Sequence, residues 1–200
     1  MHSTLCGRPL RLVAIPALLA ATALLQAGCG GGNGKSQPPK LVKKTFKATA
    51  DAYVRATDPK TNFGKNTELR IDGSPPVRTY IQFQPFGVSR PVDRATLHVY
   101  SRSTSADGFQ VRGIARAWSE SRLTFDNAPR PGRVINLSGS LSKDAWRSID
   151  VTKLLRTPDG TVGLALVSLG PTEIALASRE MARRAPQLVI ESRPPAKSSS

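Results

Sequence analysis

Residues 118–129 read Trp-Ser-Glu-Ser-Arg-Leu-Thr-Phe-Asp-Asn-Ala-Pro, and they match neither a regular strand nor a regular helix. Their Ser, Asp, Asn and Pro residues interrupt the periodicity that either element needs. The stretch nevertheless carries Trp118 and Phe125, whose rings have large apolar areas to bury. Asn127 can bond to nearby backbone groups. We therefore predict an ordered loop that closes one end of a β-sandwich, with Trp118 largely buried beneath Leu123 and Phe125.

The segments on either side of this loop alternate between apolar and polar residues, as half-buried strands do. The clearest are Val77–Phe83, Arg94–Ser101 and Phe109–Arg116. Three strands with such regular alternation predict antiparallel sheets that have one solvent-facing side. On these strands the side opposite the core is expected to carry Arg78, Tyr80, Gln82, His98, Tyr100 and Arg112.

Other segments predict how the sandwich is completed. Phe46–Ala52 is expected to be one half-buried strand with Asp51 on its polar side. Thr161–Ser168 is apolar throughout and predicts a central strand buried on both faces. Asp150 is a suitable N-cap for a short helix over Val151–Arg156. Many short strands separated by Gly, Pro, Asn and Asp turns indicate an all-β fold, an antiparallel β-sandwich of jelly-roll type with one short helix.

Trp118, Glu120 and Leu123–Pro129 resemble the W-x-E…T-W-N-N-x-P element of DNRLRE-domain proteins, a family also described as carbohydrate-binding module family 96. Phe125 stands where that family more often has Trp. Further matches occur in the family's order at Ala50–Val54, Asn62–Gly64, Arg78–Phe83, Ala95–Tyr100, Ile149–Thr152, Ser178–Glu180 and Ala185–Leu188.

The resemblance covers Thr45–Ser192 and implies a β-sandwich that binds carbohydrate without catalysis. It implies an acidic polysaccharide such as alginate as the expected ligand. The residues that stand in the family's motifs, and for which the resemblance implies a structural role, are Trp118, Phe125, Asn127, Arg179 and Glu180.

The chain is strongly basic, with a formal charge of +15 that falls only to +13 without the first 28 residues. Such an excess favours an anionic partner, either nucleic acid, an anionic lipid or an acidic polysaccharide. A solvated basic surface without a partner would give the same count. Nucleic acid is disfavoured because the chain has no recognised binding motif and begins with an export signal.

The N-terminal residues predict export. A basic segment precedes the apolar run Leu12–Leu25, which is shorter than a membrane span and typical of a secretory signal. Ala27-Gly28-Cys29 at its end resembles a bacterial lipobox, except that Gln26 stands where Leu is preferred. The glycine-rich residues that follow suit a tether behind a lipidated Cys29. Ordinary cleavage near Ala27, which would leave a free thiol, is the alternative.

We therefore divide the chain into a lipoprotein-type signal peptide (1–28), a flexible tether (29–44), the β-sandwich domain (45–192) and a disordered tail (193–200). The expected location is extracytoplasmic, either as a lipoprotein at a bacterial cell surface, outer membrane or periplasm, or as a secreted protein. Only Cys6 and Cys29 occur, and both precede the domain. The domain is therefore expected to have no internal disulfide and no cysteine metal site.

Groups suited to catalysis are few. Beyond the signal peptide His98 is the only histidine, and the chain has no Gly-x-Ser-x-Gly, His-Glu-x-x-His, P-loop or Rossmann glycine pattern. If the strands carrying Arg78, Tyr80, Gln82, His98 and Tyr100 pair, these residues share one surface. A uronate lyase could use such a surface, with Arg neutralising the carboxylate and Tyr or His moving the proton. The longer lyase motifs are absent, so we predict no enzyme activity.

The same surface suits binding better than catalysis. Tyr80 and Tyr100 offer planes that can stack on sugar rings, and Arg78 and Arg112 can form bidentate bonds to carboxylates. One alternative is a structural or adhesive cell-surface domain without a sugar site. Another is a ligand site on the loop rim, which carries Arg55, Lys60, Lys65 and Arg179.

Two further groups of residues have possible structural roles. Asp51, Asp58 and Asn62 could supply oxygen ligands to a calcium ion, although hydrogen bonding within the loop explains them more simply. No other cofactor is expected. Arg179 and Glu180 are expected to form a structural pair, in which the five donors of Arg179 bond loop carboxylates or backbone groups.

The Cys29→Ser variant tests the lipoprotein hypothesis, with Cys6→Ser as the matched control. Acylation at Cys29 would hold the protein on the membrane, because several acyl chains anchor stably where one binds marginally. We expect immunoblots of fractionated cells to show the wild type and Cys6→Ser in the membrane fraction and Cys29→Ser in the soluble fraction. A Cys29→Ser protein that stays fully membrane-bound would contradict the hypothesis.

Overall fold

The computed structural model describes residues 40–156 and 160–194. Cys29, the predicted signal peptide and most of the predicted tether and tail lie outside the described residues. The first strand begins at Val42, so the end of the predicted tether, from Val42 to Lys44, belongs to the sandwich. Within the described residues, no helix is long and apolar enough to cross a membrane.

The described part contains eleven strands and three short 3-10 helices. The strands are β1 (Val42–Lys47), β2 (Ala50–Arg55), β3 (Glu68–Ile71), β4 (Val77–Phe83), β5 (Val92–Ser101), β6 (Phe109–Ile114), β7 (Val134–Leu137), β8 (Ala145–Asp150), β9 (Val162–Ser168), β10 (Ile174–Ala177) and β11 (Gln187–Ser192). The 3-10 helices are Glu120–Arg122, Thr152–Arg156 and Arg179–Arg184. The predicted short helix corresponds to the second of these, and Asp150 Oδ1 accepts the Thr152 N–H at its start at 2.8 Å.

The strands form two antiparallel sheets with an apolar core between them. The six-stranded sheet has the order β1-β11-β5-β10-β3, with β8 also paired to β5, and the five-stranded sheet has the order β2-β4-β9-β6-β7. The core contains Phe83 and Phe109 from the five-stranded sheet and Leu97 and Ile149 from the six-stranded sheet. Each of these four side chains is at most 2% exposed. The predicted antiparallel β-sandwich is confirmed.

The chain crosses between the sheets at Ala48 and Thr49. β1 pairs with β11 in the six-stranded sheet, whereas β2 pairs with β4 in the five-stranded sheet. The prediction of one strand over Phe46–Ala52 is therefore wrong, because the apolar alternation continues across a break at which the chain changes sheets. In β2, Asp51 lies opposite the core residue Ile81, so Asp51 is directed between the sheets and is only 1% exposed.

β9 is the central strand of the five-stranded sheet, as its apolar sequence predicts. Leu164 and Leu166 face the core and are fully buried. The outward side of β9 carries the small residues Gly163 and Ala165, and a Cβ on Gly163 would lie 2.5 Å from the Ile114 side chain. Small residues at these positions let other side chains approach the sheet closely.

Residues 115–130 form an ordered layer on the outer face of the five-stranded sheet. A second apolar cluster, separate from the core, is formed there by Ala52, Val54, Tyr80, Leu123 and Ala165. Asn127 holds the layer together, since its side chain accepts the Thr124 N–H at 2.9 Å and donates to the Arg122 carbonyl at 2.7 Å. The prediction that this loop is ordered is confirmed. The sequence predicted that it closes one end of the sandwich, whereas in the structure it covers the outer face of a sheet. We call residues 115–130 the covering loop.

Trp118 packs against this second cluster. Its ring lies edge-on to the ring of Tyr80, with centroids 6.1 Å apart and an interplanar angle of 67°. Tyr80 is fully buried, and its hydroxyl donates to the Pro129 carbonyl at 2.8 Å. Trp118 itself is half-buried, less than the sequence predicts, because its ring also borders a surface cleft lined by Arg116 and Arg122.

The two tryptophans of the chain give a matched test of this packing. Trp118→Ala removes part of the second cluster, so we expect it to lower the free energy of unfolding by roughly 3 kcal/mol, at the lower end for buried Trp truncations. Trp146 is 43% exposed, so Trp146→Ala is expected to cost less than about 1 kcal/mol. Urea denaturation followed by circular dichroism measures both losses. Equal losses, or none in Trp118→Ala, would show that the cluster does not depend on Trp118.

Candidate functional site

The residues of the predicted binding surface lie on two different sheets. Arg78, Tyr80 and Gln82 are on β4 of the five-stranded sheet, and His98 and Tyr100 are on β5 of the six-stranded sheet. The prediction that these strands pair is wrong, because β4 pairs with β2 and β9 while β5 pairs with β8, β10 and β11. The outer faces of a sandwich's two sheets point in opposite directions. The two groups of residues therefore cannot share one surface.

Arg78 and Tyr80 of β4 lie beneath the covering loop. Tyr80 is fully buried, and this burial raises the pKa of its phenol, with an opposing effect from Arg78. The guanidinium of Arg78 lies 4.6 Å from the centre of the Phe125 ring, so its flat face is occupied by the loop. Gln82 is half-buried. The prediction that the Tyr80 ring is free to stack on a sugar is therefore corrected.

Arg112 on β6 shares the outer face of the five-stranded sheet with Arg78 and Tyr80. Ala165 of β9 lies between Tyr80 and Arg112, because it pairs with Tyr80 of β4 on one side and with Arg112 of β6 on the other. The Arg112 guanidinium donates to Gln110 Oε1 at 2.7 Å and to the Gly132 carbonyl at 3.0 Å. These contacts fix Arg112 against the segment that follows the covering loop.

The other sheet presents a different surface. On the four adjoining strands β1, β11, β5 and β8, outward side chains are exposed at Lys43, Thr45, Lys47, Trp146, Ser148 and Asp150. We call the outward side of these four strands the open face. It is the outer side because Leu97, Ile149 and Leu188 of the same strands point into the core.

An aromatic platform lies at one end of the open face. Trp146 on β8 lies opposite Tyr100 on β5, and their rings meet edge-on with centroids 5.5 Å apart. Tyr100 is only 8% exposed, and its hydroxyl donates to the Asp144 carbonyl at 2.9 Å. The guanidinium of Arg184 lies 4.4 Å from the centre of the Tyr100 ring. Tyr100 therefore supports Trp146 and Arg184, and Trp146 offers the exposed ring.

A row of neutral polar groups lies beside this platform. His98 is paired in register with Ser148 on β8 and with Gln187 on β11. The Ser148 hydroxyl and His98 Nδ1 are 3.0 Å apart. Partial burial, with a smaller effect from Lys43, lowers the pKa of His98 below its ordinary 6.5, so the imidazole is neutral at pH 7. Neutral groups of this kind exchange hydrogen bonds with hydroxyl groups.

Cations surround the open face. Lys47 lies opposite Gln187, and Lys43 lies opposite Glu191, whose carboxylate is 3.8 Å from the Lys43 ammonium. Arg94 and Arg184 add two more positive charges. The carboxylates on this face are those of Glu191 and Asp150, so positive charge exceeds negative charge there.

Trp146 was missed by the sequence reasoning. The signal was available, because Ala145–Asp150 alternates and Trp146 falls on the side opposite the apolar Ile149. Its partner strand could not be inferred, however, so nothing in the sequence placed Trp146 beside Tyr100.

A second polar group surrounds the buried Asp51. The Asp51 carboxylate lies close to those of Glu120 and Glu180. One oxygen from each of the three carboxylates lies within 4.8 Å of an oxygen from each of the other two. The Asp51 N–H donates to Glu120 Oε1, and the Arg179 N–H donates to Asp51 Oδ2, both at 2.8 Å. Arg179 Nε lies 2.9 Å from Glu120 Oε1 and 3.3 Å from Glu180 Oε1. The pKa of Asp51 is raised to about 7, mainly by burial; the carboxylates of Glu180 and Glu120 also raise it, whereas the backbone N–H and the guanidinium of Arg179 oppose the rise.

The predicted calcium ligands have other contacts. Asp58 Oδ2 is 2.8 Å from Arg55 Nε, and the Asn62 side chain donates to the Glu120 and Leu123 carbonyls. The structure therefore corrects the predicted set Asp51, Asp58 and Asn62, because the carboxylates gathered with Asp51 are those of Glu120 and Glu180.

The predicted loop rim is only partly available to a ligand. Arg55 is paired with Asp58 and lies 5.1 Å from the centre of the Phe63 ring. Arg179 belongs to the carboxylate group described above, whereas Lys60 and Lys65 are exposed.

The sequence model of carbohydrate-binding module family 96 matches residues 42–192, from the first residue of β1 to the last residue of β11. The chain belongs to this family. Family membership supports carbohydrate binding as its general function. No curated protein matches the chain.

The pH dependence of unfolding tests the environment of Asp51. The folded state holds a proton on Asp51 between its ordinary pKa of 3.8 and about 7, where the unfolded chain has released it. The contribution of Asp51 to stability is therefore complete below about pH 4 and is lost as the pH rises towards 7. In metal-free buffer we expect the unfolding free energy of the wild type to fall over this range relative to Asp51→Asn, measured by urea denaturation. Parallel pH profiles for the two proteins would mean that Asp51 has an ordinary pKa.

Proposed function

We propose that this family 96 module binds an anionic polysaccharide, of the alginate type, on its open face and without catalysis. The observation that carries the proposal is the exposed Trp146 ring, which is supported by Tyr100 and Arg184 at the end of a row of neutral polar groups. An indole ring can stack on the apolar side of a sugar while neighbouring polar groups bond its hydroxyls. Family membership supports carbohydrate as the ligand class, and the exposed ring and polar groups of the open face support that location.

The shape of the open face favours a polymer over a small ligand. Lys47 extends the neutral row Gln187, His98 and Ser148, so that together they cross four adjacent strands. At a strand spacing of about 4.8 Å this row is roughly 14 Å long. Small molecules are usually held in concave sites that enclose most of their surface. A flat row of this length suits an extended chain that contacts several strands at once.

The charge of the open face favours an acidic chain over a neutral one. Lys43, Lys47, Arg94 and Arg184 are distributed around the polar row, and only the Lys43 ammonium has a carboxylate within 4 Å among the described residues. Guanidinium groups bind carboxylates through paired, charge-assisted hydrogen bonds. Uronate residues offer such carboxylates at regular intervals along a polymer.

The lyase alternative loses the geometry on which it depended. Its proposed groups were Arg78, Tyr80, Gln82, His98 and Tyr100, and these now lie on two opposite faces. Tyr100, the tyrosine left beside His98, is largely buried with its hydroxyl bonded to a backbone carbonyl. A proton-transferring tyrosine has to reach the substrate.

We also propose that the module is held at a membrane outside the cytoplasm by lipid on Cys29. The support is the apolar N-terminal run and the Ala27-Gly28-Cys29 motif. From Cys29 to Val42 a fully extended chain would span at most roughly 45 Å. A linker of that reach would let the open face meet a polymer away from the membrane surface.

Titration calorimetry against alginate and a neutral glucan tests the binding proposal. We expect Trp146→Ala to weaken alginate binding about tenfold, because an aromatic stacking contact contributes on the order of 1 kcal/mol beyond the area it buries. Arg184→Ala should also weaken it, and binding should decline between 0.1 and 1 M salt as screening increases. The matched control is Arg112→Ala, a cation on the opposite sheet, which should bind as the wild type does.

The possible outcomes separate the alternatives. Equal affinity for the two glycans would remove the anionic specificity. Binding that survives Trp146→Ala but is lost in Arg116→Ala would move the site to the cleft beside Trp118. Failure to bind any glycan on an array would favour the structural or adhesive alternative, and formation of unsaturated products would favour a lyase.

A further inference from the structure

Three carboxylates from separate parts of the chain meet at the end of the sandwich near β2. Asp51 comes from β2, Glu120 from the 3-10 helix of the covering loop, and Glu180 from the 3-10 helix that follows β10. One oxygen of each lies within 4.8 Å of the others. No two of these residues are neighbours in sequence, so the fold itself assembles the group.

Asp51 is the unusual member of the group. It is 1% exposed, and its Oδ1 is a buried oxygen with no hydrogen-bond partner among the described residues. Its other oxygen, Oδ2, accepts the Arg179 N–H. A buried carboxylate oxygen without a partner loses its hydration and gains nothing in return, which costs free energy. A partner supplied from outside the protein's side chains, such as a water molecule or a metal ion, would offset this cost.

The charges of the group point to what is missing. The group contacts one positive charge, the guanidinium of Arg179, which pairs with Glu120 and Glu180. With all three acids ionised, the group has a net charge of −2. One divalent cation would neutralise it.

We propose that Asp51, Glu120 and Glu180 bind one calcium ion. Hard cations of this kind take oxygen ligands, and Ca²⁺ accepts six to eight of them at about 2.3–2.6 Å. Two oxygens on one Ca²⁺ can be up to about 5 Å apart, which accommodates the separations in this group. Mg²⁺ requires a near-ideal octahedron at about 2.0–2.1 Å and gives up its water reluctantly, so a group of protein carboxylates favours Ca²⁺.

The group is accessible enough to exchange an ion. The side chains of Glu120 and Glu180 are 22% and 25% exposed, so water reaches the group from their side while Asp51 closes its base. Water molecules can fill the remaining coordination positions, as they commonly do around Ca²⁺. Arg179 keeps its backbone bond to Asp51 Oδ2, which leaves Oδ1 for the ion.

The bound ion would tie the covering loop to the sandwich. Glu120 is on that loop, and Asn62 already bonds the Glu120 carbonyl from the segment after β2. An ion held between Glu120, Asp51 and Glu180 adds a cross-link among three segments that otherwise meet through hydrogen bonds. None of these residues is on the open face, so the calcium proposal does not depend on where carbohydrate binds.

Calcium titration of chelator-treated protein tests the proposal. We expect 5 mM CaCl₂ to raise the melting temperature of the wild type by about 5 °C, because a ligand that binds only the folded state stabilises it. Calorimetry should report one Ca²⁺ per chain, and MgCl₂ should give a smaller shift. Asp51→Asn and Glu180→Gln should each lose the calcium shift.

The controls make the result specific to this group. Asp58→Asn removes a carboxylate that is paired with Arg55, so it should keep the full calcium shift. Asp51→Asn retains an oxygen that can accept the Arg179 N–H, and Glu180→Gln changes a partly exposed position, so a folding defect in one variant leaves the other informative. The proposal is overturned if the wild type shows neither a shift nor a binding heat. It is also overturned if a folded Asp51→Asn or Glu180→Gln protein responds as the wild type does.

Discussion

The buried position of Tyr80 requires a covering layer on the five-stranded sheet. A phenol on the outer face of a sheet can be buried only if its ring is shielded and its hydroxyl is bonded. Trp118 shields the ring and the Pro129 carbonyl accepts the hydroxyl, and both belong to the covering loop. This layer turns an outer face into a second apolar cluster. The flat surface left to a ligand is then on the six-stranded sheet.

For the strands with regular alternation, such as β4 and β5, the sequence was sufficient to determine which side faces the core. Arg78 and Tyr80 do point away from it, and Leu97 does point into it, as alternation predicts. Alternation says nothing, however, about which sheet a strand joins. β4 and β5 are consecutive in sequence, yet the segment between them leads from one sheet to the other. Pro and Gly serve hairpin loops and sheet-to-sheet loops alike, so local sequence could not distinguish them.

The two tryptophans show why the sequence did not point to the open face. Trp118 lies in a distinctive motif, while Trp146 lies in an ordinary alternating strand. The distinctive residue stabilises the cover, and the ordinary one is exposed beside Tyr100. A distinctive motif can arise from packing that the fold needs. A solvent-facing position in a strand requires only that its residue lie on the outer side, so it leaves no distinctive pattern. Asp51 is a related case, because the crossing at Ala48 and Thr49 turned a predicted polar position inward.

The distribution of the acidic residues explains why the open face is positive. Glu120 and Glu180 bond Arg179 near β2, Asp58 is paired with Arg55, and Glu68 contacts Arg70 and Arg102. These carboxylates are held by arginines away from the open face. Lys47 and Arg184 are left there without a carboxylate within 4 Å among the described residues. A basic chain could have spread its charge evenly, with little consequence for any partner. Because arginines elsewhere hold these acids, the open face keeps more cations than carboxylates.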